Sequence, residues 1–362
     1  MAFYRGITTN APSGGVNYEK LELDLDGFEV RLKPLLTGIC GTDRGIVNGA
    51  LPFAYNPHGF SRLVIGHESL CKVEDAPKND FGISSGDYVV PMVRRPGKCI
   101  NCFAGRSDNC SDGDKHEAGI TGLHGFMREE FGDSAQYLVK VPDPSIGDVA
   151  VLTEPLKNVE KAFEMFDVVS KKSIFTDGAG SYHEKNSLVV GTGSEAFLYA
   201  LKSMDYGFNT YLTNRHDLDV TKNELIDKTG INFYNYNNND PLEKNGLDLV
   251  IDTSGDPATI FRFMRRMKEN GILILFGTNG KAPATQVDGM DIDYIIERNI
   301  SIIGSVDGSR IHYERAIQDI TRWKHQYHGA LETMITEKVS PDHTEIFTKK
   351  PSNEIKTVIQ WS

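Results

Sequence analysis

The stretch Leu188-Val-Val-Gly191-Thr192-Gly193-Ser194-Glu195-Ala196 decides how the rest of the chain is read. An apolar run of strand character stops at a glycine, and a helical pattern starts almost at once. In this G-x-G-x-x-A pattern Gly191 permits a tight turn and Gly193 lets backbone approach a pyrophosphate. Ala196 allows the helix to lie close on the strand. The first helical turn adds unpaired N–H groups and the positive end of the helix dipole. Alone the pattern is weak, because chance produces it; its setting gives it weight.

That setting is a regular alternation. Strand-like residues 187–190 lead to a helix near 195–204, and 210–213 lead to a helix near 220–228. Runs at 231–236, 247–251, 271–276 and 300–304 follow, with a helix expected over 257–268. The runs are continuously apolar, as in strands covered by helices on both faces, so the segment predicts a doubly wound parallel sheet of six strands. The second strand ends Asn214-Arg215-His216, with no carboxylate to grip a ribose hydroxyl and an Arg able to pair with a 2′-phosphate. NADP is therefore expected in preference to NAD, which remains possible. Arg215 as a plain surface cation is the alternative.

Upstream, residues 1–150 hold short β-like runs at 28–33, 63–73, 88–93 and 137–141, broken by Gly and Pro, and read as an irregular, mostly β domain. Leu156, Val159, Phe163, Phe166 and Val169 then mark an amphipathic helix. Downstream come a helical segment at 310–323 and a strand at 354–361 that returns to the first domain. The expected domains are 1–153 with 309–362, and 154–308. Length agrees: 362 residues suggest about two domains at roughly 150 residues each.

Composition removes several function classes. A net charge of −11 would repel phosphate backbones and anionic lipid, so neither nucleic acid nor a membrane surface is expected as partner. There is no apolar run long enough to span a bilayer, and the first residues lack the apolar core of an export signal, so a cytoplasmic location is expected. Five cysteines in such a chain argue for metal chemistry or plain thiols rather than a disulfide framework.

Two groups of residues have metal-ligand chemistry. Cys40, with Thr42 two residues on, sits on a turn after an apolar run; His67 and Glu68 follow, and Glu154 lies at the domain boundary. A catalytic zinc takes three protein ligands of N, S or O type and keeps one position open, which Cys40, His67 and one carboxylate satisfy. The second group is Cys99, Cys102 and Cys110, in a lobe at about 94–116. A closed structural zinc needs a fourth ligand, for which Asp114 is favoured; three free thiols are the alternative. Cys71 reads as a core residue.

With both groups and the glycine loop in view, nearly the whole chain resembles the zinc-dependent medium-chain alcohol and polyol dehydrogenases. Within that family it is similar to the archaeal glucose dehydrogenases. The resemblance rests on Gly38-Ile-Cys-Gly-Thr-Asp-Arg44, Gly66-His67-Glu68, Lys115-His-Glu-Ala-Gly119, Thr153-Glu-Pro-Leu-Lys-Asn158 and Gly277-Thr-Asn-Gly280. The pattern departs at Pro96, where most members carry the first of four lobe cysteines.

The resemblance implies an α/β architecture: a GroES-like, mostly β catalytic domain plus a Rossmann domain, assembled as a homotetramer. It implies zinc on Cys40, His67 and either Glu68 or Glu154. It implies a small-molecule sugar substrate, oxidised at C1 to the lactone, with contacts from Thr42, Glu117, Glu154, Asn158 and Asp307. NADP contacts would come from Gly193, Ser194, Glu195, Asn214, Arg215, His216, Gly277, Thr278, Asn279, Ser305, Val306 and Asp307. Two rivals stay open here: a zinc polyol or secondary-alcohol dehydrogenase, and a zinc-free reductase or non-catalytic NADP-binding protein on the same fold.

Overall fold

The computed structural model describes residues 2–23, 29–113, 116–173, 182–238, 240–242 and 246–361. The chain divides into two compact units, Met1–Lys157 with Asp307–Ser362, and Asn158–Val306. Both divisions fall a few residues from those expected. The first lies inside the helix Thr153–Ser170, which runs on without a break, so chain composition gives no mark there.

The second unit is built on a six-stranded parallel sheet. Its strands run in the order Asn232–Asn235, Asn209–Asn214, Asn186–Val190, Leu247–Asp252, Met267–Leu275 and Ser301–Gly304. The order reverses at the first strand, so the loops leaving Asn186–Val190 and Leu247–Asp252 open a crevice at the carboxyl ends of the strands. Every residue of those two strands is buried, in keeping with their apolar stretches Leu188–Val190 and Leu249–Ile251. Leu188, Val190, Val250, Phe263, Met264, Met267 and Leu273 share one core.

One helix is shorter than expected. It covers Pro257–Met264 and not 257–268, because Met267 already pairs with Leu247 in the sheet. Phe263, Met264 and Met267 lie at spacings that suit a helix face, but Met267 spends its apolar surface as a strand residue. An additional helix, Gly289–Glu297, starts at a reciprocal cap in which Asp288 and Asp291 each accept the other's backbone N–H.

The first unit is mostly sheet. A central set runs Leu138–Lys140, Tyr88–Pro91, Glu68–Asp75, Val30–Gly38, Lys356–Gln360 and Ile335–Val339, with Phe131–Asp133 also paired to Val30–Gly38. The strand Lys356–Gln360 pairs antiparallel with Val30–Gly38, Val358 facing Gly38, so the late segment does return to this unit. A hairpin of Ala2–Asn10 and Gly14–Leu23, absent from the sequence reading, adds a small sheet with Leu63–Val64. The run expected over 63–73 is split at Ile65-Gly66-His67. Gly66 has φ of 90°, and a Cβ there would lie 2.3 Å from Met127 Cγ, so only glycine fits and the chain turns just before His67. Cys71, farther along the strand Glu68–Asp75, is fully buried, and burial pushes its thiol up to about 12.

Candidate active site

Cys40 ends an extended stretch and caps the short helix Gly41–Val47. Asp43, fully buried in that helix, does three things. Its Oδ2 accepts from Cys40 N at 2.8 Å, and its Oδ1 accepts from Gly66 N at 3.2 Å. Oδ1 also lies 3.3 Å from His67 Nδ1. One carboxylate thus fixes the backbone beside both Cys40 and His67, and its charge lies beside Nδ1 of the imidazole. Burial alone would raise the Asp43 carboxyl, but His67 and the two N–H donors hold it below its usual range.

Ligand atoms of Cys40, His67 and Glu68 lie within 4.8 Å of one another, and His67 and Glu68 are buried. Thiolate, imidazole and carboxylate are the donor set of a catalytic zinc with one open position, so the residues fit that ion. Thr42 Oγ1 lies 3.9 Å from Cys40 Sγ, next to this group. Glu68 has a second partner: Lys356 Nζ lies 2.8 Å from both of its oxygens. The structure does not bring Glu154 into the group. Its carboxylate lies 3.2 Å from Lys157 Nζ instead.

A second set of candidates belongs to the same unit. Strand His116–Ala118 carries Glu117 and leads to Gly119, whose Cα packs on the Gly66 backbone; a Cβ there would sit 2.5 Å from Gly66 O. Glu117, Asp307 and Glu154 are linked by two cations the sequence reading overlooked, Arg94 and Lys157. Only the Glu154–Lys157 spacing, one helical turn, was available as a signal.

In the lobe, Cys99, Cys102 and Cys110 come together within the same 4.8 Å limit. Hydrogen bonds from Ser111 draw the Cys99 thiol down to about 6, while burial holds Cys102 up at about 11. Asp112 bridges the loop, accepting from Cys110 Sγ at 2.8 Å and from Lys98 N at 2.9 Å. Asp114, the expected fourth ligand, lies outside the described residues.

The second unit carries the nucleotide candidates. Gly191 has φ of 124°, and a Cβ there would sit 2.3 Å from Thr253 Oγ1. A Cβ at Gly193 would meet open space, so that glycine leaves bare backbone at the start of the helix Ser194–Asp205, with Glu195 in its first turn. At Gly277 a Cβ would lie 2.4 Å from Gly255 N, so the loops after the fourth and fifth strands pack backbone on backbone beside Thr278 and Asn279. Asn214 Nδ2 donates to Thr192 Oγ1 at 3.2 Å, tying the second strand's end to the glycine loop. Arg215 and His216 beyond it are exposed. Ser305 Oγ is buried without a hydrogen-bond partner among the described residues, a donor awaiting an acceptor; Val306 beside it is exposed. Open glycine backbone, a helix N-terminus and an orphan hydroxyl fit a dinucleotide. Asn158, half-buried, belongs to this unit, and Asp307 to the first.

Comparison with known proteins adds the following. Residues 147–361 match the family model for the glucose dehydrogenase C-terminus, and residues 26–143 match that for the alcohol dehydrogenase GroES-like domain. A glucose 1-dehydrogenase of Thermoplasma acidophilum is 54% identical over 100% of both chains. One of Metallosphaera sedula is 37% identical over 99% of each. Among solved structures, Haloferax mediterranei glucose dehydrogenase in complex with NADP, Zn and gluconolactone superposes with a TM-score of 0.85, at 26% identity and 99% coverage of both chains.

Proposed function

The chain belongs to the glucose dehydrogenase family of zinc-type medium-chain dehydrogenases, and from that premise we propose how its residues share the reaction. The enzyme oxidises the C1 hydroxyl of D-glucose to the lactone, with hydride passing to NADP and zinc as metal. The observation that carries this reading is the meeting of Cys40, His67 and Glu68 in one unit, while the other presents an open glycine cradle.

Cys40, His67 and Glu68 would hold the catalytic ion, which when bound supplies Lewis acidity that lowers the pKa of the substrate hydroxyl. Asp43 keeps the imidazole turned. Thr42 receives the proton of the C1 hydroxyl and passes it outward, since one hydroxyl both donates and accepts. Glu117, Glu154, Asn158 and Asp307 hold the remaining sugar hydroxyls. Gly191 to Glu195, Asn214 to His216, Gly277 to Asn279, and Ser305 to Asp307 hold NADP; Arg215 favours its 2′-phosphate. The nicotinamide does the redox chemistry, and the protein aligns the two carbons and excludes water. Buried acceptors such as Asp307 favour a polyhydroxylated substrate over a simple alcohol.

The lobe thiols would hold a second, structural zinc. The same reading has the enzyme act in the cytoplasm as a homotetramer. The exposed Met290 and Ile296 of the helix Gly289–Glu297 and Ile302 of the edge strand Ser301–Gly304 support contact between copies. An aldose panel with NADP, followed by absorbance of the reduced cofactor, tests the function. Glucose should give the highest kcat/KM, and a higher value for a linear polyol would overturn the assignment. Metal analysis should find about two zinc ions per chain, one for each donor set.

A further inference from the structure

Between the sugar-contact candidates runs a row of buried charges. Arg94 sends Nε and Nη2 to a single oxygen of Glu117, Oε1, at 3.0 and 2.6 Å. Its Nη1 donates to the carbonyls of Ser107 and Asp108 at 3.5 and 3.2 Å, and its Nε lies 2.7 Å from Asp307 Oδ2. Lys157 Nζ takes the other oxygen of Asp307 at 2.6 Å and reaches Glu154 at 3.2 Å. Asp307 therefore has one cation on each carboxylate oxygen. Its backbone is fixed too: φ is 65°, and at the neighbouring Gly308 a Cβ would lie 3.0 Å from Lys157 Cδ.

Arg94, Lys157 and Asp307 are almost wholly buried. Ion networks at this depth contribute little net stability, because desolvation offsets the attraction and apolar residues of equal size hold a fold as well. Three carboxylates face two cations, so the row has acceptor capacity to spare. Among the described residues no hydrogen bond reaches Glu117 Oε2, and the Glu117 side chain is the most open of the row. A carboxylate that is held ionised accepts hydrogen bonds and donates none, so it selects hydroxyl donors.

We propose that Arg94 and Lys157 are positioning residues for substrate specificity. Arg94 aims Glu117, and Lys157 aims Asp307, at hydroxyls of the sugar other than the one oxidised. The proposal rests on the reading above that Glu117 and Asp307 contact the sugar.

The test compares wild type with Arg94→Gln and Lys157→Met on glucose and on its 2-, 3-, 4- and 6-deoxy analogues. In each variant the KM for glucose should rise about 10–100-fold, as when the partner orienting a first-contact group is lost, with kcat close to wild type. The decisive readout is selectivity. Wild type should discriminate against the analogue lacking the hydroxyl that Glu117 reads by roughly a hundredfold or more, and Arg94→Gln should erase that penalty, with a smaller loss for the hydroxyl read by Asp307, which Arg94 also touches. Lys157→Met should do the same for a different analogue, and Lys157→Arg should restore discrimination.

If every penalty survives in both variants, or kcat falls with KM unchanged, Arg94 and Lys157 are structural and the proposal is wrong. If Arg94→Gln does not fold, Arg94→Lys, which keeps the charge and loses the fork, carries the same readout. Wild type that fails to oxidise glucose at all would overturn the functional reading itself, a result distinct from unselective variants of an active enzyme.

Discussion

The two units solve the problem of binding in opposite ways. In residues 158–306 the candidate site is made of backbone: no Cβ fits at Gly191, Gly255 or Gly277, and Gly193 leaves its backbone bare. In the other unit the site is made of side chains, held by charges that cross long stretches of chain. Asp43 reaches His67, Arg94 reaches Asp307, and Lys356 reaches Glu68, 288 residues away. A backbone site is robust to exchange of side chains and intolerant of added atoms. A side-chain site has the reverse vulnerability, and the two should fail independently.

The sharpest break of that comparison is Cys40→Ser or His67→Ala. Turnover should drop below detection while NADP still binds with wild-type affinity, measured by fluorescence titration; joint loss of both would mean the units are not separable. Thr42→Val should lower kcat by about 10²–10⁴-fold, the usual contribution of a proton-transfer group, at unchanged zinc content by metal analysis. Near-normal kcat would remove Thr42 from the relay. On the other side, Gly277→Ala forces a Cβ into backbone. Such overpacking costs about 1–3 kcal/mol, so Tm should fall and NADP Kd should rise, with both metals retained. The narrowest effect, confined to one of the two nucleotides, is expected from Arg215→Ala. Losing a charged contact to the 2′-phosphate, worth about 1.5–3 kcal/mol, should weaken NADP roughly tenfold or more and leave NAD unchanged. Equal weakening of both nucleotides would make Arg215 a plain surface cation.

The same contrast explains what could be read from sequence. In the 158–306 unit each element carries its own signal within a few residues, so Gly191, the apolar strands and their order of helices were legible. The helix end at Met264 slipped, where one apolar spacing served two conformations, and the helix Gly289–Glu297 was not expected. Cys40, His67, Glu68 and the lobe thiols were legible by donor type and by family likeness. Arg94 and Lys157 were not, because a lone cation in sequence looks like solvated surface until its distant carboxylates are known. The hairpin Ala2–Asn10 and Gly14–Leu23 escaped because its polar residues and glycines show no apolar run, although Ile7 lies in the core and Thr8 and Thr9 are buried.

The strand Lys356–Gln360 also imposes an order in time. It lies against Val30–Gly38, beside Cys40; Lys356 meets Glu68, and Glu354 grips Arg44 with two bonds of 2.7 Å across 310 residues. A ribosome makes every residue of the six-stranded sheet before it makes that strand. On the nascent chain the whole nucleotide-binding unit is thus in hand while Cys40, His67 and Glu68 still lack their flanking strand. The Cys40 thiol is made before the six-stranded sheet, and the strand that flanks it is made after.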